Sequence, residues 1–69
     1  MKFKIKDLVG FQLEVFGSET ILQYFPELNT TGVELIEVDG FHYIAKDGKP
    51  VSDSAFFSTF ELSFLEEVE

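Results

Sequence analysis

The residues that could do chemistry in this chain are few. Its single histidine, His42, is the only imidazole base available for nucleophilic catalysis. The serines it would have to activate, Ser52, Ser54, Ser58 and Ser63, are remote from it in sequence, and none sits in a sharp-turn nucleophile motif. Paired carboxylates do acid–base work only in a cleft that separates their pKa values. Strand neighbours such as Glu37 and Asp39 instead share one face, about 6.6 Å apart at a rise of ~3.3 Å per residue. A calcium loop needs several closely spaced oxygen ligands with glycine at a set position, and Asp47-Gly48-Lys49 offers one acid followed by a base. There is no cysteine, so a thiolate zinc site and a disulfide are both excluded, and no glycine-rich loop could cradle a phosphate. The chain is expected to be non-enzymatic, with no cofactor and no metal.

Charge narrows the choice of partner. Thirteen acids face five lysines and no arginine, for a net charge of −8. No Lys or Arg occurs between Asp7 and Ala45. Nucleic-acid binding depends on Lys and Arg displacing counterions from phosphates, and anionic membrane surfaces demand the same, so neither is an expected direct partner. No apolar run approaches the ~20 residues of a membrane span, and no signal-peptide core follows the first lysines. The expectation is a single domain, residues 1–69, in the cytoplasm, or in the host cytoplasm if phage-encoded. Without staples, its stability has to come from burial, for which nine Phe and two Tyr among 69 residues are a large supply.

The elements that would position these residues follow from local pattern. Asp39-Gly40 between Gly32–Val38 and Phe41–Ala45 is a two-residue hairpin signal. It opposes Val38 to Phe41, Glu37 to His42, Ile36 to Tyr43, Leu35 to Ile44 and Glu34 to Ala45. The Glu37–His42 pairing reads as an ordinary cross-strand charge pair rather than a catalytic dyad. One hairpin face then carries Ile36, Val38, Phe41, Tyr43 and Ala45 and is expected to be core; the other carries Val33, Leu35, Ile44, Glu37 and His42. Phe3–Lys6 alternates in polarity, and Phe11, Leu13 and Val15 alternate with Gln12 and Glu14, which predicts strands. Ser18 is a candidate cap for a short helix bearing Ile21, Leu22, Phe25 and Leu28, limited to one or two turns by Pro26. Further strands are expected at Ala55–Thr59 and Ser63–Val68, with a 3₁₀ turn at Phe60-Glu61-Leu62.

This order of signals predicts an all-β fold, a small bent barrel of about five short strands with a long loop or short helix at 18–29 and a 3₁₀ turn near 60–62. An α+β sheet carrying a packed helix at 18–25 is the alternative. The pattern resembles the SH3-like barrels of bacterial and phage proteins in Asp7-Leu8-Val9 before the first strand, Gly32-Val33-Glu34-Leu35-Ile36 opening the central hairpin, Tyr43-Ile44-Ala45 closing it, and Phe60-Glu61-Leu62 before the end. Two familiar roles of such barrels do not carry over. There is no Trp or acidic-aromatic loop for proline-rich peptides, and the basic residues of RNA-binding members are missing.

The apolar doublets Val15-Phe16, Leu35-Ile36, Phe56-Phe57 and Phe64-Leu65 remain. Adjacent strand residues face opposite ways, so each doublet places one large apolar group outside the core, and together they would make a patch large enough to mark a partner. The expected patch is Leu35, Ile44 and one of Phe56 or Phe57, rimmed by Glu37, Glu66 and Glu67. It would dock a protein with a basic-rimmed surface, or a second copy of the chain. The alternative is a nucleic-acid mimic of the phage-inhibitor type, whose carboxylates would occupy the DNA site of a DNA-binding protein.

Overall fold

The computed structural model describes residues 2–68; Met1 and Glu69 lie outside the described residues. Six strands, β1 (Lys2–Ile5), β2 (Val33–Val38), β3 (Phe41–Lys46), β4 (Lys49–Pro50), β5 (Phe56–Phe57) and β6 (Leu65–Val68), form one antiparallel sheet. Its order is β4-β3-β2-β1-β6, with β5 also paired to β3. The hairpin β2–β3 has the register read from its turn, Glu34 opposite Ala45 through Val38 opposite Phe41. Asp39 and Gly40 supply the two positive φ angles, 53° and 86°, that a type I′ turn requires.

Between β1 and β2 lie two helices, α1 (Leu8–Glu14) and α2 (Ser18–Tyr24), and a 3₁₀ turn at Pro26–Asn29. The all-β expectation is therefore corrected: the domain is β-rich with two short helices, a pattern that fits an α+β or small β fold. The strand expected through Phe11, Leu13 and Val15 is helical. Phe11 and Val15 belong equally to a two-residue alternation and to a helical stripe with Leu8, at steps of three and four. Asp7 decides between them, because its carboxylate accepts from the Gly10 amide at 3.1 Å and caps the first turn. Phe11 and Val15 face the core at 0% and 4% exposure, whereas Leu13, which a strand would have buried beside them, is 78% exposed. Asp7→Ala is expected to cost about 0.5–2 kcal/mol, read as a fall in the urea midpoint.

Ser18 is the first residue of α2 rather than its cap. Gly17, in the left-handed region at φ 76°, holds the cap position without a side-chain hydrogen bond. The buried Ser18 hydroxyl instead donates to the Gln12 carbonyl at 3.4 Å and ties α2 to α1. Pro26 ends the helical segment as its ring dictates, opening the 3₁₀ turn behind Phe25.

Both helices pack on one face of the sheet. Phe11, Val15 and Leu28 meet Ile5, Val33, Ile44, Phe57 and Leu65 in a single core, centred on Phe11 and Phe57, whose rings stand edge to face with centroids 5.9 Å apart. A second 3₁₀ turn, Glu61–Phe64, lies against α1. Gly10 permits that approach, since a Cβ there would fall 2.8 Å from the Phe64 ring.

The hairpin faces are the reverse of those expected. Val33, Leu35 and Ile44 face the helices, whereas Val38 and Phe41 are exposed and Ile36 and Tyr43 half-buried on the outer face. A hairpin register determines which residues share a face, but the elements packed on the sheet determine which face is covered. Ala45 is buried although it points outward; Glu34, opposite it, reaches over to accept from the Gly48 amide at 3.2 Å.

Candidate functional site

The structure does not bring the expected patch together. Ile44 and Phe57 are 2% and 0% exposed and belong to the core, so neither is available to a partner. Leu35 is half-buried against that core. Phe56 stands alone among the four apolar candidates on the outer face, which answers the question of which phenylalanine of the doublet points inward. Glu37 is exposed near the hairpin tip, opposite His42. Glu66 and Glu67 lie on the edge strand β6 and point to opposite faces, Glu66 beside Lys4 and Glu67 beside Phe3.

The serines serve their own turns. The Ser52 and Ser54 hydroxyls are 3.0 Å apart, and the Ser54 amide donates to Ser52 Oγ at 3.2 Å. The Ser58 amide donates to Glu61 Oε1 at 2.8 Å, and the Ser63 hydroxyl donates to the Phe60 carbonyl at 2.8 Å. His42 lies between Glu37 and Phe57 in the sheet register. A cleft of about 400 Å³ between α2 and the Ser52–Ala55 turn is lined by Ile21, Tyr24, Phe25 and those two serines, without a charged side chain.

Two apolar surfaces stand uncovered instead. The first is the solvent side of α1. Val9, Leu13 and Phe16 are 66%, 78% and 99% exposed; Val9 and Leu13 stand four residues apart on one side of α1, and Phe16 follows in the turn beyond the extended Val15 cap. With Phe11 buried on its inner side and Val15 buried at its C-cap, α1 still exposes Val9 and Leu13 beside the polar Gln12 and Glu14. The exposed charges over residues 7–19, Asp7, Glu14 and Glu19, are acidic, with the exposed Lys6 just before them. Phe60, 63% exposed, stands edge to face with Phe64 at 5.7 Å and adds an aromatic ring beside the 3₁₀ turn that contacts α1. The four-residue step from Val9 to Leu13 is the sequence signal for this ridge, and a strand at residues 11–15 would not form it.

The second surface is the outer face of the sheet. Phe56 packs edge to face on Phe41 and tilted on Tyr43, each at 5.3 Å between centroids, and Ile36 and Val38 continue the cluster along β2. Val38 and Phe41 are each 43% exposed. The strand alternation places Lys2, Lys4, Glu34 and Glu66 on the β1 and β6 side of the same face.

No protein-family model, curated protein or solved structure matches the chain. Among the described residues, no helix is long and apolar enough to cross a membrane.

Proposed function

We propose that this chain is a small, acidic, non-catalytic docking module that inserts the α1 ridge into an apolar groove, rimmed by Lys and Arg, on a partner protein. The observation that carries this reading is the exposed apolar ridge of Val9 and Leu13 on α1, continued by Phe16, 99% exposed, in the turn that follows. Single exposed apolar residues are ordinary. Apolar residues four apart on a helix, here Val9 and Leu13 with Phe16 in the turn beyond, are anchors by which a helix and its end can seat in a groove. Burying such side chains contributes about 1.5–3 kcal/mol each before the costs of association. The acids beside the ridge supply steering and orientation toward a basic rim. They argue equally against direct nucleic-acid or anionic-membrane binding. The scaffold is read as a variant of the SH3-like plan. In support, β1 pairs with both β2 and β6, and the 3₁₀ turn Glu61–Phe64 leads into the last strand.

The test is capture of the partner by tagged wild type and by Leu13→Glu and Phe16→Glu, across a salt series. Both substitutions are at exposed positions, so the folded state should survive, as circular dichroism would verify. Each is expected to weaken capture at least tenfold, while raising NaCl from ~0.1 to ~0.5 M should change wild-type binding only modestly. Binding that ignores both substitutions and collapses with salt would replace this reading with nucleic-acid mimicry.

A further inference from the structure

We infer that the outer face of the sheet binds a second copy of this chain, forming a two-fold dimer packed sheet to sheet. The sheet has helices on one side only, and the aromatic cluster Phe41, Tyr43 and Phe56, with Ile36 and Val38, lies open on the other. Charge selects the occupant. The chain carries −8, so two copies repel wherever acids face acids, and the α1 side, with Asp7, Glu14 and Glu19 and no Lys or Arg from residue 7 to 45, is such a surface. The outer sheet face differs. The charged side chains that β1, β2 and β6 place on it by register are Lys2, Lys4, Glu34 and Glu66, two of each sign, beside an apolar half with Asp39 at the hairpin tip. A two-fold contact is made by one patch with itself, and a face of balanced charge with an apolar region satisfies that condition where an all-acidic face does not.

The area agrees with a reversible dimer. Five strand positions ~4.8 Å apart, with two to six residues each at ~3.3 Å rise, span roughly 24 by 15 Å. With side-chain relief, such a face buries about 500–600 Å² per copy, near the lower end for specific interfaces, so dissociation constants of about 1–100 μM are expected. Sheets stacked this way sit ~10 Å apart with aromatic side chains interleaved. The dimer would leave both α1 ridges on its far sides. It rests on the sheet face alone and is independent of what α1 binds.

Sedimentation velocity from ~5 μM to ~1 mM in ~0.3 M NaCl tests it. Wild type is expected to shift from monomer to dimer within this range, and more readily at ~0.3 M than at ~0.02 M NaCl, because salt screens the repulsion between two acidic chains. Phe41→Ser and Val38→Ser, both at exposed positions and each verified as folded by circular dichroism, should weaken dimerisation at least tenfold, and Leu13→Glu should leave it unchanged. If either serine variant fails to fold, the other decides. A wild type that stays monomeric at ~1 mM, a dimer indifferent to the folded serine variants, or a dimer abolished by Leu13→Glu would each overturn the inference.

Discussion

Phe57→Ala is expected to lower the unfolding free energy by about 3–5 kcal/mol, and the adjacent Phe56→Ala by only about 1–2 kcal/mol. The two side chains are identical and consecutive, so composition and local propensity cancel from the comparison. Phe57 is 0% exposed, opposite His42 on the covered face, with its ring against Phe11. Its removal leaves a cavity that the helices and the sheet would have to collapse to fill. Phe56 is 37% exposed and loses ring contacts with Phe41 and Tyr43 that solvent can replace. A domain of this size is stable by roughly 3–10 kcal/mol, so the first substitution removes about a third of the margin or more and the second a much smaller share. Paired urea titrations measure both. Equal costs would mean that β5 is shifted by one residue against β3, since a one-residue slip exchanges the faces of the two rings. A double-mutant cycle with Phe11→Ala should add a coupling of about 0.5–1.5 kcal/mol.

Gly32→Ala is expected to cost roughly 2–3 kcal/mol, although it adds only a methyl group. Gly32 has φ +97° and joins the Pro26–Asn29 turn to β2, with its amide donating to the Glu27 carbonyl at 2.6 Å. An L side chain in the left-handed region costs about 1–2 kcal/mol by itself. The added Cβ would also stand 3.1 Å from the Phe3 carbonyl oxygen and 3.2 Å from Val68 Cγ2. The carbonyl belongs to β1, which is held between β2 and β6, so it has little room to retreat. At about 4–8 °C of melting temperature per kcal/mol for a domain of this size, the substitution should lower Tm by about 10–20 °C. A fall of less than about 3 °C would show that the seam between β1 and β2 opens without cost and is not packed as described.

Several features were legible in the sequence because their causes are local. Asp39-Gly40 specified the turn, and with it every cross-strand pair of the hairpin, because few residues tolerate two consecutive positive φ angles. Pro26 stopped the helical segment because its ring excludes the preceding turn's hydrogen bond. The 3₁₀ turn before the last strand was placed within two residues. The α1 segment was not legible by period alone, since Phe11 and Val15 satisfy a strand and a helix equally, and the Asp7 cap that separates the two readings outweighs an alternation only five residues long.

The candidate surface was decided at the tertiary level. Sequence placed Leu35 with Ile44 on one hairpin face and Ile36 with Tyr43 on the other, and it required one of Phe56 and Phe57 to point each way. Which of these faces met water depended on where residues 8–29 packed. They covered the Ile44 side, turning Leu35, Ile44 and Phe57 inward and leaving Phe41, Tyr43 and Phe56 outside, with Val9 and Leu13 exposed on the far side of α1 and Phe16 in the turn beyond it. Strand alternation and turn chemistry act between neighbours in the chain, whereas burial is a property of whatever arrives from a distance to cover a face.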